Sequence, residues 1–191
     1  MPNAAPLTVE DVLKLSQDDL WEIMRRAHAI DLKALDDTQY TGIDLSLPEF
    51  MHKLLWTTFR KTFHRDPKTG VLRGWNVRVE QTGWEKPPEP KRDRRGAPVT
   101  FGHYHVLPAQ GLRFPRGWTG PQFLDYRCAG NKWADLARLG YCPLVAVNPG
   151  GADLLLGWEV FRVGSVNLPL PDFWLLRREG PLDHVVPPPR G

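Results

Sequence analysis

The chain has 191 residues, 41% hydrophobic and 10% aromatic, enough for the core of one domain and too apolar for a disordered segment. Net charge is only +3, and much of the basic excess sits in Lys86–Arg95 among Pro and Glu rather than along one element, which argues against nucleic acid as a partner. No run reaches the ~18 apolar residues of a membrane span, and no basic stretch followed by an apolar core opens the chain. The two cysteines, Cys128 and Cys142, have no metal spacing, so the expectation is a cytoplasmic protein with free thiols.

Residues 1–38 read as an N-terminal helical segment. Thr8 with Asp11, and Ser16 with Asp19, have the spacing of capping boxes, so a helix pair is expected rather than one rod. Val12, Leu15, Leu20, Ile23 and Met24 keep helical spacing, and this narrow stripe is expected to dock on the main domain. Tyr40–Asp44 reads as a short strand or turn. Ser46-Leu47-Pro48-Glu49 has the pattern of a helix start, predicting a short helix over about Leu47–Trp56 that closes one end of a barrel.

From Thr57 the period changes to two, with Phe59, Lys61 and Phe63 on one face and Arg60, Thr62 and His64 on the other. The turn Asp66–Gly70 leads into Val71–Gln81, where Val71, Arg73, Trp75, Val77 and Val79 alternate with Leu72, Gly74, Asn76, Arg78 and Glu80. Residues 83–98 hold four Pro and a charge run, and are expected to form a mobile surface loop that cannot pair as a strand. Strand spacing returns at Val99–Leu107 and Gln122–Cys128, and Asn131–Leu139 reads as a helical turn. Pro143–Arg178 then gives a meander of three apolar strands, Leu144–Asn148, Asp153–Val163 and Phe173–Arg177. Such a meander needs a covered inner face, most simply by closure of the sheet. Residues 39–180 are thus one barrel domain, and 181–191 a disordered Pro-rich tail.

His103-Tyr104-His105 places two imidazoles on one face of a strand, and with Gly102 it resembles the opening of cupin metal sites. The carboxylate that follows in that pattern is absent, and a third ligand would have to come from His64 or Asp125, so no metal and no cofactor are expected. Asp125 and Glu159 stand beside aromatic residues. An inward-facing carboxylate there would have a raised pKa and could work as an acid or base. Eight Trp serve either as core or as the walls of a ligand cavity.

Tyr40–Asp44, Trp56–Phe63, Leu124–Tyr126, Leu154–Trp158 and Phe173–Arg177, taken in order, resemble the strand sequence of small lipocalin-like barrels, particularly the bacterial GxWxG type. The first strand has Gly-Ile-Asp where that family has Gly-x-Trp. The resemblance implies a cup for a hydrophobic or amphipathic small molecule and carries no catalytic residue.

The expectation is therefore a mainly β protein, an antiparallel lipocalin-like barrel that binds a lipid-like or aromatic molecule. Arg73, Trp75, His103, His105, Tyr126 and Trp158 are the residues expected to line the cavity. The alternatives are a barrel enzyme, isomerase-type or metal-dependent through His103 and His105, and an interaction module that docks a protein partner through the Lys86–Arg95 loop.

Overall fold

A computed structural model describes residues 5–45, 57–133 and 135–189. The chain forms a closed antiparallel barrel of eight strands in which sequence neighbours pair and the last strand returns to the first. The strands are β1 (Thr38–Asp44), β2 (Thr58–Arg65), β3 (Leu72–Val77), β4 (Thr100–Pro108), β5 (Gln122–Asp125), β6 (Tyr141–Ala146), β7 (Leu154–Val163) and β8 (Val166–Pro181). Closure comes from β1 lying against β8, with Tyr40 opposite Arg178 and Gly42 opposite Leu176. This removes the sheet edges that an open meander would leave exposed. The helix expected over Leu47–Trp56 falls outside the described residues.

Two short helices, α1 (Val9–Val12) and α2 (Gln17–Arg26), precede the barrel, each with a capping box, Thr8 with Asp11 and Ser16 with Asp19. Their buried residues Val9, Val12, Leu20, Ile23 and Met24 join Leu154, Leu156, Trp158 and Leu175 in an apolar layer outside the barrel wall. Trp21 meets Trp158 edge-on at 5.0 Å, and the Trp118 indole donates to the Met24 carbonyl. A second cluster fills the interior and includes Tyr40, Phe63, Tyr104, Leu124, Leu144, Leu155 and Leu176. Leu35, from the 3-10 turn Leu32–Leu35, belongs to it as well, so that turn plugs the barrel end where Tyr40 and Phe63 meet. No helix among the described residues is long and apolar enough to cross a membrane.

Two segments differ from expectation. Residues 83–98 pair through isolated bridges, Val79 with Pro90 and Arg92 with Pro98. Their hydrogen bonds come from flanking residues, Lys91 N–H to the Arg78 carbonyl and Val99 N–H to the Lys91 carbonyl, so each Pro stands where no N–H is required. β8 likewise runs through Pro169 and Pro171 as one strand of 16 residues, with a register shift against β7 between Trp158 and Val160. Beyond the barrel wall it forms a two-stranded ribbon with β7, closed by Gly164-Ser165 with Gly164 at φ 61°.

Candidate functional site

Alternation on β2 sends Phe59, Lys61 and Phe63 to the barrel interior, so a lysine stands between two phenylalanines on an apolar face. Lys61 is 2% exposed. Burying an ammonium is costly unless its protons find acceptors, and register supplies them. Asn76 lies directly opposite on β3 and accepts from Nζ at 2.8 Å, and the Tyr126 hydroxyl just beyond β5 accepts at 2.7 Å. Asn76 is itself held by donating Nδ2 to the Gly102 carbonyl. The rings of Tyr104 and Trp174 each have their centroid 4.6 Å from Nζ, with Tyr126 and Phe59 at 5.4 and 5.5 Å. Among the described residues Nζ makes these two hydrogen bonds, one fewer than an ammonium can donate.

Lys61 lines a cavity of about 220 Å³ with Asp44, Phe59, Asn76, Phe101, Tyr126, Ala137, Glu159, Asp172 and Trp174. Room for it comes partly from glycine. Gly157 faces Trp174 across the β7–β8 pair, and any side chain there would overlap the indole. The indole Nε1 donates to Glu159 Oε2 at 3.3 Å. Burial lowers the Lys61 ammonium to about 8, against the opposing pull of Cys142 and Glu159. Burial also pushes the Glu159 carboxyl above the usual range, with Cys142, Lys61 and Trp174 pulling the other way. The Tyr126 hydroxyl rises well above its ordinary value for the same first reason. Burial thus drives the amine and the carboxyl toward their neutral forms, the condition under which either can serve as a proton donor or acceptor.

The six residues expected to line a cavity separate into three places. Tyr126 stands in the interior cavity against Lys61. Arg73, Trp75, His103 and His105 gather on the outward face of β3 and β4 instead. There the Arg73 guanidinium lies 5.3 Å from the Trp75 ring, and Trp75 is 6.2 Å from His103. Residues 182–189 cross this face, and Arg73 Nη1 donates to the Val186 carbonyl. Burial first, then Arg73, lowers the His103 imidazole to about 4. Burial likewise lowers His105, whose Nδ1 lies 3.3 Å from Cys128 Sγ. Trp158 lies on the outward face of β7 beneath α2. Asp125 is clamped by Arg127, and His64 is held by Asp37; no group of three His, Cys, Asp or Glu that could hold a metal forms among the described residues.

Lys61, Asn76 and Trp174 are among the cavity residues that sequence reading passed over. The signal for Lys61 was present: a lysine flanked two residues away on both sides by phenylalanine shares a face that must be buried. Glu159 is inward-facing, and its neighbour Trp158 points out. No family model, no curated protein and no solved structure matches this chain.

Proposed function

We propose that the protein binds a small amphipathic molecule in the barrel cavity, with a flat apolar body against Phe59, Phe101 and Trp174 and a polar oxygen on Lys61. The observation that carries this reading is Lys61 itself. A buried lysine lining a cavity, with one donor direction unused among the described residues, is costly for folding and useful for a ligand. The closed eight-stranded barrel is compatible with lipocalin-like binding proteins, and the resemblance to the GxWxG type supports the same kind of ligand.

The donor sets the head group. A carbonyl or hydroxyl oxygen accepts from Lys61, which lines the cavity with Asn76 and Tyr126. The first test is native mass spectrometry of the isolated protein compared with its denatured mass. A non-covalent adduct of a few hundred daltons, lost in Lys61→Met, is expected. An adduct retained in Lys61→Met, or a transition-metal adduct in its place, would contradict the reading.

A further inference from the structure

We propose that Lys61 is a nucleophilic amine that condenses with an aldehyde or ketone group of the cavity's ligand to form an imine, with Glu159 carrying the protons. This rests on the binding reading above and names its ligand class. A neutral amine has two N–H bonds and one lone pair. Asn76 Oδ1 and the Tyr126 hydroxyl accept from two directions at Nζ, so the lone pair takes a remaining direction at an atom lining the cavity. The Glu159 carboxyl, held by the Trp174 indole, lines the same cavity as Lys61.

The step balances without an oxidant or reductant. The Nζ lone pair bonds to the carbonyl carbon, and the C=O π pair moves to oxygen, which takes a proton from the Glu159 carboxyl. The Glu159 carboxylate then removes a proton from nitrogen and returns it to the hydroxyl, which leaves as water. The protonated imine remains beside the Glu159 carboxylate, which takes the last N–H proton to leave the neutral imine and restore its carboxyl, and water reverses the sequence. Lysines desolvated in apolar pockets are activated for this chemistry because more of the amine is unprotonated at neutral pH. The titratable groups facing Lys61 are Glu159 and Cys142 from β7 and β6, both pushed up by burial, and the Tyr104 and Tyr126 hydroxyls, also pushed up. Asp44 and Asp172 complete the lining. The rings around Nζ favour the ammonium, and burial opposes it, lowering Lys61 to about 8.

The test incubates the full chain with 2-naphthaldehyde and sodium cyanoborohydride, then maps the reduced adduct by mass spectrometry. Adduct at Lys61 at pH 7 should form ~10-fold faster than at exposed lysines, and its rate should level off above about pH 8, while that of exposed lysines keeps rising. Lys61→Met should lose the cavity adduct, and Glu159→Gln should slow it ~10-fold. Binding of 2-naphthamide, which cannot form an imine, is followed in parallel by NMR. If the amide binds in the cavity and Lys61 stays unlabelled, the imine inference fails and the binding reading stands. If neither compound perturbs the cavity, both fail.

Discussion

Lys61 is where stability and function pull apart. Its ammonium is lowered to about 8 from the ordinary 10.5, so the unfolded chain holds more protons between those values. Stability therefore rises with pH across that window, and the penalty of the buried charge is fully present below it. Lys61→Met removes the charge and loses the hydrogen bonds to Asn76 and Tyr126. These effects oppose one another, and the variant is expected to be ~1 kcal/mol more stable than the wild type at pH 7. The advantage should shrink as pH rises from 8 to 10.5, as read by urea unfolding. A loss of ~3 kcal/mol or more at pH 7 would instead make Lys61 a structural support.

Among the elements, the C-terminal segment after β8 does more than end the chain. Leu182 N–H donates to the Asp37 carbonyl, Asp183 pairs with Arg60 at 3.5 Å, and the Val186 carbonyl accepts from Arg73. Under this strap the Arg73 Nε and Trp75 Nε1 atoms are buried without hydrogen-bond partners among the described residues, and His103 is 9% exposed. Because the His103 pKa is depressed from 6.5 to about 4, its contribution to stability is present above pH 6.5 and is lost as pH falls toward 4. Ending the chain after Pro181 should return the His103 titration toward 6.5 by NMR and flatten that acid slope. The melting temperature should fall by ~5 °C, the size of effect that losing one or two kcal/mol has in a chain of this length. A His103 titration unchanged by the truncation would place the cause of the shift elsewhere. The strap also explains what the sequence concealed. Val71, Arg73, Trp75, Val77 and Val79 alternate cleanly, which marks a strand but not which face is inside. Residues 83–98 and 182–189 bury the outward face, so an apolar pattern appears on the wrong side of β3. The strand positions themselves were legible from period and turn residues, as at Asp66–Gly70 and Gly164-Ser165. The continuity of β8 through Pro169 and Pro171 was not, because it depends on a register shift between Trp158 and Val160 on the partner strand, opposite Pro171.

For the molecule as a whole, closure decides where chemistry can sit. Pairing of β1 with β8 joins residues more than a hundred positions apart, and no local pattern announces it. Once closed, the end near Tyr40 and Phe63 is filled by side chains and by Leu35, while the end near Asp44, Phe59 and Asp172 keeps the cavity. Lys61 stands between the filled half and the half that keeps the cavity, where a polar group is desolvated and still lines a space for a ligand. The most direct test of that arrangement is an NMR titration of the wild type and Lys61→Met with 2-naphthamide, following the Trp174 indole N–H. The amide is expected to shift this signal in the wild type, and Lys61→Met to lose at least ~10-fold in amide affinity, the effect of removing one charged hydrogen-bond donor. An unmoved Trp174 signal, or equal affinity in the variant, would contradict it.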